Sequence, residues 1–214
     1  MPRLKLKIGL TGVVVFACIA SVWAGKNYFN SPGTPRLNSS YAARAMGDPK
    51  ARVWVVQYME FGCLQCIQTA NYLEEYVRQK PHALYWQVRF FPYKPVPNTT
   101  QDPELYALCA ASQNKFWPFF RLLVAETGSW FKATDRRMIF NKLAERAGLN
   151  PAALGRSLKD PKIAKQIAGE CRDAEALKVR FSSTTFVNGT MIVGFDALKK
   201  ELQKHEGNRG GGAK

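Results

Sequence analysis

Histidine is nearly absent: the 214-residue chain has two, His82 and His205. Neither is paired with a nearby cysteine or second histidine, so the four-ligand set of a structural zinc site is missing and no metal is expected. Acid is scarce as well, with 16 Asp and Glu against 31 Lys and Arg, for a net charge of +15. Such a balance invites nucleic acid, anionic lipid or acidic partners. The basic residues are spread over the whole length, however, with no tight Lys/Arg run interleaved with aromatics. Nucleic acid is therefore not expected as a partner, and a solvated basic surface is the simpler reading. There is no internal repeat. A hydrophobic fraction of 46% over this length suits one domain of ordinary size with a real core.

The one long uncharged run, Ile8 to Ala24, follows a start that carries Arg3, Lys5 and Lys7 and no acid. Residues 1–24 thus have the form of a signal peptide, with the small residues Val22 and Ala24 ahead of a cut before Gly25. The run is also close to the lower limit for a spanning helix, about 17 residues. An uncleaved anchor is the alternative, with its N-terminus in the cytoplasm by the charge bias. Either way the remainder is expected in the periplasm or on the extracytoplasmic face of the membrane, and it would touch the membrane only through this segment if uncleaved.

Residues 25–46 are rich in Gly, Pro, Ser and Asn and read as a linker, with a short helix near Ala42. Arg52 to Tyr58 is apolar and β-branched, as a strand buried on both faces should be. A helix from Cys63 to about Gln79 follows, with Cys66, Ile67, Ala70, Leu73 and Val77 at spacings of three and four, ended by Pro81. Leu84 to Phe91 reads as a second strand, which implies a right-handed parallel crossover. Pro92, Pro95 and Pro97 mark a loop. From about 102 to 178 the pattern is helical and reads as an insertion. One of its helices opens at Thr134 and Arg137 and carries Met138, Ile139, Leu143 and Ala147, and Phe116, Trp117, Phe119 and Phe120 read as its core. Strands at Thr184–Asn188 and Met191–Val193 flank the hairpin turn Asn188-Gly189. A last helix spans about Asp196 to His205, and residues 207–214 form a Gly-rich tail expected to be flexible. The order βαβ, helical block, ββα describes an α/β domain over residues 47–206, a mixed sheet with helices on both faces.

Apart from Cys18 in the apolar run, the cysteines are Cys63, Cys66, Cys109 and Cys171. Four cysteines pair in three ways, and spacing alone favours Cys63 with Cys66. Two cysteines three apart in the first turn of a helix share a face, with Cα atoms about 5–6 Å apart, within disulfide range. A sulfur at the helix N-terminus meets free N–H groups and the positive end of the dipole, which favour its thiolate and lower its pKa. Cys63 is thus the expected nucleophile. Cys66, one turn further in, is the resolving partner that attacks a mixed disulfide.

Three segments carry a wider resemblance. The first is Gly47-Asp48-Pro49-Lys50-Ala51 followed by Glu60-Phe61-Gly62-Cys63-Leu64-Gln65-Cys66. The second is Ala107-Leu108-Cys109-Ala110 with Gln113, Lys115, Phe116 and Trp117. The third is Thr185-Phe186-Val187-Asn188-Gly189 with Gly194. In this order and spacing the chain resembles the DsbA-like thiol–disulfide oxidoreductases of the thioredoxin superfamily. The resemblance implies a thioredoxin fold with a helical insertion, cysteine-containing protein substrates, a membrane or soluble redox partner, and no cofactor. It favours an oxidase and leaves isomerase or reductase open. A binding or assembly protein of the same fold with little redox turnover is the rival reading.

The same resemblance marks departures. Ser183 and Thr184 stand where the family has a cis-proline loop facing the cysteines. A cis bond before a non-proline residue costs about 2.5–4 kcal/mol, so Ser183–Thr184 is expected trans, or cis under strain. Thr184 is expected to line the site with its hydroxyl near Cys63. Gln57 stands where relatives often keep a buried acid, and Glu60 is the nearest remaining one. Leu64 and Gln65 offer no basic side chain to the thiolate, which points to a milder oxidant. Cys109 and Cys171 fall in the helical block and are expected to pair, stapling its first helix to its last, with two buried thiols as the alternative.

Overall fold

The computed structural model describes residues 34–92 and 103–207. The signal or anchor segment, the first part of the linker, Pro95, Pro97 and the tail after Gly207 lie outside the described residues. Strand β1 is Ala45–Gly47, β2 Val53–Met59, β3 Leu84–Phe90, β4 Thr184–Val187 and β5 Thr190–Val193. They form one mixed sheet in the order β1-β3-β2-β4-β5. The β2–β3 pair is parallel and the other three pairs are antiparallel. Every residue of β2 is buried, as its continuous apolar run requires of a central strand covered on both sides. The hairpin turn falls on Asn188 and Gly189, both at positive φ (48° and 87°), the geometry that Asn-Gly supplies at little strain. Asn188 also accepts from Trp54 N–H through Oδ1 at 2.8 Å, tying the turn to the start of β2.

Helix α1 is Leu64–Gln79 and buries Cys66, Thr69, Ala70, Leu73 and Val77 against the sheet. The insertion comprises α2 Pro103–Ser112, α3 Phe116–Ala125, α4 Thr127–Trp130, α5 Arg137–Arg146, α6 Pro151–Ser157 and α7 Pro161–Ala176, and α8 Phe195–Gly207 closes the fold. Alternate residues of β2 feed two cores. Val53, Val55 and Met59 join the large one with α1, α8 and the insertion, while Trp54, Val56 and Tyr58 meet Phe186, Ala174 and Val179 on the other face. The aromatics of α3 belong to the large core as expected, and Phe120 lies 5.3 Å from Phe61 between ring centroids. No helix among the described residues is long and apolar enough to cross a membrane.

Two expectations are corrected. The segment read as linker carries the expected short helix near Ala42, a 3₁₀ helix over Ser39–Arg44, but it also contributes β1 to the sheet. Its polar composition conceals a core contact: Arg44 pairs through both terminal nitrogens with Glu170 of α7, at 3.1 and 2.5 Å, each side chain about 1% exposed. In α5 the inward residues are Phe140, Leu143 and Ala144, and Met138 is 62% exposed. The inward stripe runs Phe140, Leu143, Ala144 and Ala147, and Met138 falls off it.

Candidate dithiol site

The site is built where β2 runs into α1. After Met59 the chain bends through Glu60, Phe61 and Gly62, and Cys63 becomes the N-cap of α1 with extended backbone (φ −95°, ψ 110°). Its Sγ accepts the N–H of Cys66 at 3.1 Å. A sulfur thus fills the capping place that a hydroxyl or carboxylate oxygen usually takes. The two cysteines form a disulfide with Cα atoms 5.2 Å apart. They differ in access: Cys63 is half-buried, whereas Cys66 is fully buried. No acidic side chain lies in the first turn of α1, and the N–H groups and dipole there favour an anion at Cys63.

Gln57 reaches the pair from below. It is fully buried, and its Nε2 donates to the carbonyl of Cys66 at 2.9 Å. Its Oε1 has no hydrogen-bond partner among the described residues. Glu60 accepts from the Ser182 hydroxyl at 3.0 Å, joining the bend to the loop before β4. In that loop the Ser183–Thr184 bond is trans, since no peptide among the described residues is cis. The Thr184 hydroxyl donates to the carbonyl of Phe181 at 2.7 Å and so closes its own loop. The carbonyl of Ser183 accepts from Gly194 N–H at 3.1 Å. Gly194 in turn faces Gln65, whose Oε1 would lie 3.7 Å from a Cβ added there. The loop before β4, the end of β5 and the first turn of α1 therefore converge.

Glu104 was not legible as a site residue. It sits in the first turn of α2, 4% exposed, and its Oε1 accepts the N–H of Phe61 at 2.8 Å. In sequence it is an ordinary acid after a helix-opening proline, and nothing marks it as buried. Cys109 and Cys171 are both buried and no disulfide joins them, which corrects the expected staple. Each packs in the large core as a small apolar group. Burial, with a smaller push from Asp160, raises the Cys109 thiol to about 12. Among the described residues no cluster of three His, Cys, Asp or Glu is placed to hold a metal.

Exposed apolar side chains stand on the elements that converge at the pair. Leu64 is 70% exposed, Phe181 62%, Phe131 49% and Val193 48%. A small cavity of about 140 Å³ opens between the start of α1 and α4, lined by Gly62, Leu64, Ile67, Gly128 and Phe131.

A family model described as Thioredoxin matches residues 39–204. No curated protein matches the sequence. Among solved structures the chain is similar to a thioredoxin-like oxidoreductase from Silicibacter pomeroyi DSS-3, at 20% identity and a TM-score of 0.61, covering 87% of this chain and 98% of that one. It is similar to the thiol-disulfide exchange protein alpha-DsbA2 from Wolbachia pipientis, at 14% identity and a TM-score of 0.62, covering 86% and 94%. It is also similar to a periplasmic thioredoxin-like protein from Salmonella enterica serovar Typhimurium, at 18% identity and a TM-score of 0.61, covering 85% and 95%. These likenesses show the fold, a thioredoxin-like sheet with a helical insertion, and the length of the family match shows that the chain belongs to the thioredoxin family.

Proposed function

We propose that the protein is an exported thiol–disulfide oxidoreductase that exchanges disulfides with cysteine-containing proteins of the cell envelope through Cys63 and Cys66, with oxidation of substrates favoured over isomerisation or reduction. The observation that carries this reading is the asymmetry of the pair. Cys63 is accessible and capped by the Cys66 N–H, while Cys66 is fully buried behind it.

In the oxidative direction a substrate thiolate attacks Sγ of Cys63. The Cys63–Cys66 bond breaks and its electron pair leaves on Cys66, which takes up a proton. A second substrate thiolate then attacks the substrate sulfur bound to Cys63, and Cys63 leaves as a thiolate held at the helix N-terminus. Two electrons pass from substrate to protein and one disulfide passes the other way. The reverse sequence uses Cys63 as attacker and Cys66 as resolver. Leu64, Phe131, Phe181 and Val193 suit substrates whose cysteine lies among apolar residues, as in an incompletely folded chain. Ser183 and Thr184 shape the loop beside the pair, and Gln57, Glu60 and Gln65 modulate it. The Wolbachia protein is a thiol-disulfide exchange protein and the Salmonella protein is periplasmic by description, which supports exchange chemistry and export here. A membrane or soluble redox partner would reoxidise the pair.

The test is transfer from the oxidised protein to a reduced, unfolded protein, with free thiols counted over time. The expected result is one disulfide delivered per chain and none from Cys63→Ser. Recovery of the protein in the envelope fraction of its host checks export. The trans bond before Thr184, where relatives have proline, favours a second reading, a binding or assembly protein with little turnover. That reading predicts stable association with unfolded chains and no loss of their thiols.

A further inference from the structure

Gly62 and Leu64, the neighbours of Cys63 in sequence, both line the cavity at the start of α1, and Phe131 and Lys132 line it from the insertion. The Phe131 ring rests on the bend: a Cβ added at Gly62 would lie 3.1 Å from its Cε2. At about 140 Å³ the cavity has room for one apolar side chain, since an apolar cavity of about 150 Å³ holds a benzene. Its rim is cationic. Arg136 is fixed beside the ring, where its Nη2 donates to the Phe131 carbonyl at 3.0 Å. Its guanidinium lies 5.8 Å from the centre of the Phe131 ring and 5.9 Å from that of Trp130. Neither Arg136 nor Lys132 is ion-paired among the described residues. Of the acids closest in sequence, Asp135 faces Arg137 at 3.7 Å and Glu60 accepts from the Ser182 hydroxyl. No Asp or Glu is among the described residues that line the cavity.

We propose that this cavity selects substrates with an apolar side chain within two residues of the reactive cysteine and an Asp or Glu beside that side chain. The apolar group enters between Leu64 and Phe131, and the carboxylate meets Arg136 and Lys132. The net charge of +15 draws acidic segments toward the surface on which this site opens. The inference rests on the reading of Cys63 as the sulfur that meets substrate. The exchange of sulfurs is the same for every substrate, so Phe131, Lys132 and Arg136 act on binding and set which chain arrives at Cys63.

The experiment measures disulfide transfer from the oxidised protein to reduced two-cysteine peptides that carry Leu-Asp, Leu-Lys or Ala-Asp beside the first cysteine. Each rate is divided by that peptide's rate with oxidised glutathione, since a charge beside a thiol changes its thiolate fraction. The Leu-Asp peptide should react about fivefold faster than Leu-Lys at low salt, with the difference shrinking as salt rises. It should also exceed Ala-Asp several-fold. In Lys132→Glu/Arg136→Glu the order of Leu-Asp and Leu-Lys should reverse, a ratio within one variant that a general loss of stability does not move. In Phe131→Ser the preference for Leu over Ala should vanish. Equal rates for the three peptides, or an unchanged order in the charge-reversed variant, overturn the proposal. A second measurement needs no exchange. Peptides with serine in place of cysteine are titrated into the oxidised wild-type protein, and Leu-Asp should shift the amide resonances of Leu64, Gly128 and Lys132 more than Leu-Lys does. Equal shifts, or none, overturn the proposal whatever the exchange rates. Selective shifts in a protein that fails to oxidise glutathione support it and contradict exchange instead.

Discussion

The backbone N–H of Phe61 donates to Oε1 of Glu104 at 2.8 Å, and through this bond the first helix of the insertion holds the bend that presents Cys63. Glu104→Ala leaves that buried N–H without its acceptor, a loss of about 1–3 kcal/mol. Glu104→Gln keeps an oxygen in place. The alanine variant should therefore lose stability to urea and slow the attack of glutathione on Cys63, while the glutamine variant retains most of both. Equal losses in the two would mean that the carboxylate charge, not the bond to Phe61, matters.

Arg44 and Glu170 form a buried pair that also receives Phe90 N–H at 2.7 Å. Breaking it from one side strands a buried charge, which costs about 3–5 kcal/mol, whereas replacing both partners with apolar residues is often close to neutral. Arg44→Met should be strongly destabilising in urea unfolding. Adding Glu170→Leu should recover part of that loss, less the cost of the Phe90 N–H left without its acceptor, and additive losses would contradict a paired role.

Cys109 gives a pH dependence with a definite sign. Its thiol is raised from 9.0 to about 12 in the folded protein, chiefly by burial. Above pH 9 the unfolded chain releases a proton that the folded chain keeps, so this contribution to stability is full below about pH 9 and is lost as pH rises toward 12. Tyr58 and Tyr106, raised from 10.0 to about 12 by burial, act in the same direction from pH 10 upward. Cys109→Ala should flatten the fall in stability between pH 9 and 10. In the native protein Cys109 should resist alkylation until the chain unfolds.

The exposed apolar residues near the pair should serve large substrates only. Phe181→Ser should raise KM for a reduced, unfolded protein several-fold and leave the equilibrium with glutathione unchanged. A parallel loss toward glutathione would show that Phe181 acts on the loop geometry instead.

Much of the architecture was readable because the strands carry strong local signals. The uniformly apolar run at Val53–Met59 and the Asn188-Gly189 turn leave little choice of element. The N-cap position of Cys63 and the burial of Cys66 followed from a spacing of three at a helix start. What stayed hidden depends on distant partners. Arg44 reads as a linker charge until Glu170 arrives 126 residues later, and Glu104 reads as a surface acid until Phe61 meets it. The bond of the Thr184 hydroxyl to the Phe181 carbonyl was hidden as well, since it depends on how the chain turns before β4. Cys109 and Cys171 share one core without a bond, since shared burial does not by itself bring two sulfurs into disulfide geometry.

The most direct test of the central claim is trapping with Cys66→Ser. In the proposed mechanism Cys63 forms the mixed disulfide and Cys66 resolves it, so removing the resolver should accumulate covalent complexes with reduced, unfolded substrate. These should disappear on adding reductant and map by mass spectrometry to Cys63. No accumulated complex, or complexes through Cys109 or Cys171 in place of Cys63, would contradict the account.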